Sequence, residues 1–116
     1  MNDHQIEFLH ALKIIKDIEV DLSESFLNNP RNSSLNKEYM LLKQKLTSEE
    51  DITAFRNVQN ELAETVIYRI MEMIDGYGDL PYKVDLIDKD SNDSLKSNIQ
   101  LHDQFINYIS SEDNDD

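Results

Sequence analysis

The sequence predicts a mainly α fold, a small antiparallel helical bundle with a short β-hairpin or edge strand near residues 82–96, and three observations carry that prediction. Apolar residues recur at three- and four-residue steps over most of the chain, which is the signature of helices with one buried face. Both glycines lie together, at Gly76 and Gly78, so glycine interrupts the helical pattern at one point only. The period shortens to strict alternation once, at Tyr82, Val84 and Leu86, with Lys83 and Asp85 between them.

The first helix is expected over about 3–27. Phe8, Leu12, Ile15, Leu22 and Phe26 form its stripe, with Glu19 midway through the one long gap. Leu9, Ile14 and Ile18 widen that stripe, so the helix should pack against more than one neighbour. Asn28-Asn29-Pro30-Arg31-Asn32-Ser33 stops it, because proline biases the residue before it away from helix and asparagine tolerates turns. A shorter helix over 35–46, with Ser34 as its cap, carries Tyr39, Met40, Leu42 and Leu46.

The third helix, over 49–75, is announced by Thr47 and Glu50 at capping-box spacing, with acids where the helix dipole is positive. Ile52, Phe55, Leu62, Val66, Ile70 and Met73 are its expected inner stripe. Its length of about 40 Å at 1.5 Å per residue requires that it project or be matched by the first helix. Asp75-Gly76-Tyr77-Gly78-Asp79 ends it, since glycine takes positive φ at no steric cost.

The alternating stretch from Tyr82 needs a strand partner, either the return through Ser94-Leu95-Lys96-Ser97 or the same strand of a second subunit. A last helix over 98–110 presents Leu101, Phe105, Ile106 and Ile109. Residues 1–110 then form a single helical domain, and the acidic tail 111–116 is expected to be disordered because it has nothing to bury. No repeat of the solenoid kind is present.

Composition narrows the function. Without cysteine there is no disulfide, thiolate zinc site or cysteine nucleophile. The start lacks a basic leader, and no window approaches the roughly 18 consecutive apolar residues of a membrane span, so a cytoplasmic protein is expected. The net charge of −13 is uneven: residues 1–50 hold nine acids against six bases, and residues 51–116 hold fifteen against five. That field repels nucleic acid and anionic lipid while attracting basic surfaces.

No catalytic, cofactor or metal motif stands out. The stretch 88–95 matches a calcium-binding EF-hand loop at Asp88, Asp90 and Asn92. It fails at Asp93, where glycine is required, and at Ile99, where a bidentate glutamate should stand, so it reads as a solvated turn. His4, His10 and His102 have no metal-ligand spacing. Carboxylate pairs such as Glu61 with Glu64 or Glu72 with Asp75 are unavoidable in so acidic a chain and single out no acid–base machinery. Gly76-Tyr77-Gly78 is too short for a phosphate loop and does not open a helix.

The candidate site is therefore a protein-binding surface made of Asp75, Tyr77, Asp79, Tyr82, Asp85, Asp88, Asp90 and Asp93. Tyrosine offers contact area at low entropy cost, and carboxylates steer a basic partner. The expected protein has no catalytic role and no cofactor. It is an inhibitor that neutralises a basic partner such as a nuclease, as bacterial or phage immunity proteins and antitoxins do, an analogy of size, charge and absent motifs. The alternatives are a structural or regulatory adaptor that homodimerises through the long helices, and a DNA mimic that occupies a nucleic-acid groove.

Overall fold

Four α-helices are present in the computed structural model, which describes residues 1–29 and 34–114 apart from the side chains of 112–114. They are α1 (Asp3–Asn28), α2 (Asn36–Lys45), α3 (Glu49–Ile74) and α4 (Leu101–Asn114). The expected stop at Pro30-Arg31-Asn32-Ser33 lies outside the described residues, as do Asp115 and Asp116 of the expected tail. The backbone of α4 continues to Asn114. No helix among the described residues is long and apolar enough to cross a membrane.

Side chains fix where the long helices begin. Asn2 and Gln5 cap α1 reciprocally: Asn2 Oδ1 accepts from the Gln5 N–H and Gln5 Oε1 from the Asn2 N–H, each at 2.9 Å. The box that opens α3 sits one residue later than the spacing of Thr47 and Glu50 suggests. Ser48 Oγ accepts from the Asp51 N–H at 3.0 Å, and Asp51 Oδ2 from the Ser48 N–H at 3.4 Å. Ser34 is not the cap of α2; Leu35 holds that position without a side-chain cap bond.

The end of α3 is a Schellman turn. Gly76 takes φ +98°, its N–H donates to Met73 O, and the Tyr77 N–H donates to Glu72 O. Gly78 then passes so close over the helix that a Cβ there would lie 2.9 Å from Met73 Cβ and Cγ.

The chain divides into two compact units. One comprises Met1–Ile14 and Thr65–Asp116. Leu9, Phe105 and Ile109 are its buried cluster, with Phe8, Leu12, Ile67 and Tyr108 against it, and Leu101 and Met71 are also buried. Ile106, expected inside, is exposed.

The other unit is Ile15–Glu64, where only Val20 and Leu27 are fully buried hydrophobics among the described residues. Phe26 and Tyr39 meet edge to face at 5.8 Å between ring centroids, joining α1 to α2. Lys16 is buried, and its ammonium reaches Asp17 Oδ1 at 2.7 Å, Asn60 Oδ1 at 2.9 Å and Glu64 Oε1 at 3.2 Å, satisfying all three donors. Arg56 bonds Asp21 and Glu24 at 2.6 and 2.7 Å.

The inner stripes of α1 and α3 therefore differ from those expected. Ile15 and Leu22 of α1, and Leu62, Val66 and Ile70 of α3, are exposed, as are Ile14 and Ile18. The buried row of α1 runs through Gln5, Leu9, Lys16, Val20 and Leu27 instead. Polar side chains with complete sets of partners occupy positions that apolar periodicity alone assigns to surface.

The expected hairpin is also corrected. No strand forms among the described residues, and a single antiparallel bridge joins Ile87 and Ser94. Two backbone bonds frame that bridge, Leu95 N–H to Leu86 O and Asp88 N–H to Asp93 O, but the groups that would extend it go to side chains: Asp85 Oδ1 accepts the Leu86 N–H, and Lys96 Nζ donates to Val84 O.

Substituting Gly78→Ala should destabilise the protein by about 1–3 kcal/mol, because the clash falls on the root of the Met73 side chain and not on its mobile end. Urea unfolding followed by circular dichroism measures the loss.

Candidate functional site

The segment that follows α3 is held in place by buried polar side chains. Asp75 closes α3, and its side chain is only 3% exposed. One oxygen, Oδ2, accepts from both the backbone N–H of His102, at 2.8 Å, and His102 Nδ1, at 2.5 Å. The carboxylate thus caps the first turn of α4, where the helix dipole favours negative charge. The rings of Tyr68 and Tyr77 each meet the His102 ring in a T-shaped arrangement, at centroid distances of 5.5 and 5.3 Å. Gln100 Nε2 donates to the Tyr77 hydroxyl at 2.7 Å.

Lys96 makes the second tie. Its ammonium donates to Ile74 O at 2.8 Å and Val84 O at 2.9 Å, placing a cation at the negative end of α3. Gln5 makes the third: its Nε2 donates to Leu95 O and Ser97 O, both at 3.1 Å. Between the first two ties lies a cavity of about 610 Å³ lined by Met73, Tyr77, Pro81, Tyr82, Lys83 and Lys96, among others. Tyr77 and Tyr82 are 61% and 64% exposed on its rim.

The six aspartates of the expected surface fall into two groups. Asp75, Asp85 and Asp88 belong to the framework. Asp85 Oδ1 accepts from Ser94 Oγ at 2.5 Å as well as from the Leu86 N–H, and these bonds, the Ser94 hydroxyl foremost, lower its pKa. Asp88 accepts from the Asp90 N–H, the Ser91 hydroxyl and His4 Nδ1. The bond from His4 is the chief cause that brings its pKa down to about 2. Asp79, Asp90 and Asp93 are exposed, and their carboxylates have no hydrogen-bond or ion-pair partner among the described residues.

The EF-hand-like stretch is a turn closed by its own side chains. Asn92 takes φ +64°, and its N–H donates to Asp88 O at 2.7 Å. Each histidine has a separate partner: His4 with Asp88, His10 with the Tyr108 hydroxyl, and His102 with Asp75. No group of three or more histidine and carboxylate side chains among the described residues is placed to hold a metal ion.

Of the eight residues selected from sequence, Tyr77, Asp79, Tyr82, Asp85, Asp90 and Asp93 are exposed, Asp85 while its carboxylate is held by Ser94 and the Leu86 N–H. Asp75, Asp85 and Asp88 position them. His102, Lys96 and Gln5 have comparable weight and were not selected. Only an N-x-x-Q spacing at Asn2 and Gln5 hinted at any of the three, and it reports the cap and not the reach of Gln5 to residue 95.

Two outcomes are expected. Removing the Asp75 carboxylate in Asp75→Ala leaves the His102 N–H buried without an acceptor and should cost about 1–3 kcal/mol in urea unfolding. The bond from Asp88 also raises the pKa of His4 above 6.5. That link is complete below pH 6.5 and is lost as pH rises through the folded value of His4. It is complete above pH 3.8 and is lost as pH falls toward about 2, where Asp88 protonates. A proton-NMR titration of the His4 ring should show the raised value, returning toward 6.5 in Asp88→Asn.

No family model, curated protein or solved structure matches the chain.

Proposed function

We propose that this chain is a non-catalytic, cytoplasmic protein-binding module, an inhibitor of the immunity or antitoxin type, whose segment 75–93 receives a basic partner. The observation that carries this reading is the exposure of Tyr77 and Tyr82 on one cavity rim, in a segment whose Asp79, Asp90 and Asp93 carboxylates are free of partners among the described residues. Exposed tyrosines on a braced backbone supply anchors that lose little entropy on binding, and free carboxylates steer a cationic surface toward them. The net charge of −13 supports the same choice of partner. The one buried histidine–carboxylate pair among the described residues, His102 with Asp75, is shut away from solvent and already spent on capping α4, which supports a binding role over a catalytic one.

The test is capture of partners from native extract by the full chain at about 50 mM and 500 mM salt, since charge-steered contacts weaken as the Debye length shrinks. A basic protein retained at low salt, released at high salt and weakened by Asp79→Lys or Asp93→Lys is the expected result. Tyr82→Ala should weaken it by about 30-fold, the scale of a hot-spot truncation. A captured nucleic-acid enzyme displaced by duplex DNA would favour the DNA-mimic reading, and capture indifferent to these substitutions would overturn the assignment of the segment.

A further inference from the structure

Among the described residues, the unit Ile15–Glu64 buries few apolar side chains fully and leaves many of them exposed. Its interior holds the buried Lys16 ammonium with Asn60 and Glu64, beside two fully buried hydrophobics, Val20 and Leu27. Its surface carries Ile15, Ile18 and Leu22 of α1, Met40 and Leu41 of α2, and Val58 and Leu62 of α3, all exposed. Ile15, Ile18 and Leu22 follow three- and four-residue steps, so they form one face, turned away from the row of Lys16, Val20 and Leu27.

Charge decides what covers this face. The unit holds ten acids and six bases, a net −4 of the chain's −13, so most of the repulsion between copies resides elsewhere. Within it α2 is the basic element, with Lys37, Lys43 and Lys45 against Glu38. Lys37, Glu38 and Gln44 share the outer face of α2 with Met40 and Leu41. The apolar face of α1 is flanked instead by the exposed Glu19. With three lysines against one glutamate α2 is basic as a whole, and it complements a helix whose apolar face is flanked by a glutamate; this chain contains both.

We propose that residues 15–64 form a homodimer interface in which the Met40–Leu41 face of α2 packs on the Ile15, Ile18 and Leu22 face of α1 in a second copy. Two-fold symmetry makes the contact twice, with Lys37 of each copy set against Glu19 of the other. This surface shares no residue with the segment 75–93, and either assignment stands without the other.

Sedimentation equilibrium on the full chain tests it. The wild type should be a dimer, and Ile18→Glu and Leu41→Glu should each raise its dissociation constant by about 100-fold, since either buries a carboxylate in an apolar contact. Both side chains are exposed in the single copy, so far-UV circular dichroism should not change. Glu19→Lys and Lys37→Glu should each weaken the dimer about tenfold, and the double variant should recover it. A wild type that stays monomeric at its highest attainable concentration overturns the proposal, as does a dimer indifferent to Ile18→Glu and Leu41→Glu. A monomer that instead captures another protein, and loses it in Ile18→Glu, gives the face to that protein and also overturns the homodimer.

Discussion

The carboxylate of Asp75 is where two helices are made dependent on each other. It sits at the last turn of α3 and caps the first turn of α4 through the N–H and the ring of His102. A helix start leaves N–H groups without partners, and a helix end leaves carbonyls. Here the same few residues meet both needs: Asp75 serves α4, while Gly76, Tyr77 and Lys96 satisfy carbonyls of the closing turn of α3. Burial makes the arrangement exacting, because a buried polar group that loses its partner costs more than the bond contributed. The segment from Gly76 to Gln100 inherits its path from these ends, and with it the exposure of Tyr77 and Tyr82.

That path also explains why acids so close in sequence differ in kind. The carboxylates of Asp85 and Asp88 are held by backbone N–H groups, hydroxyls and His4, and their lowered pKa values record how well those donors suit the charged form. Asp79, Asp90 and Asp93 are left to solvent. Composition treats all of them alike, as net charge. Structure separates a framework set that shapes the loop from a free set available to a partner, and the recognition reading rests on the second set.

Much of the architecture was legible in residue order. The two long helices, the short α2 between them, the stop at Gly76 and the apolar row Leu101, Phe105 and Ile109 of α4 all follow from periodicity and from the few residues that break it. The hairpin was not. Alternation at Tyr82, Val84 and Leu86 resembles a strand, yet Asp85 and Lys96 occupy the Leu86 N–H and the Val84 carbonyl that a ladder continued from the Ile87–Ser94 bridge requires. The side chains responsible were visible in the sequence, but their competition for those groups depends on which of them approach in space.

The same distinction holds for the faces of the helices. Sequence by itself determined that α1 and α3 carry apolar residues at helical spacing, that the chain is strongly acidic, and that tyrosines and aspartates gather after α3. These are properties of residue identity and order. Tertiary structure decided which apolar rows are covered, because a helix with apolar residues on more than one side can be turned several ways. The choice was made by long-range partners such as Lys16 with Asn60 and Glu64, and Asp75 with His102. A buried polar pair is a condition on two distant residues at once, and no local pattern in a single chain records it.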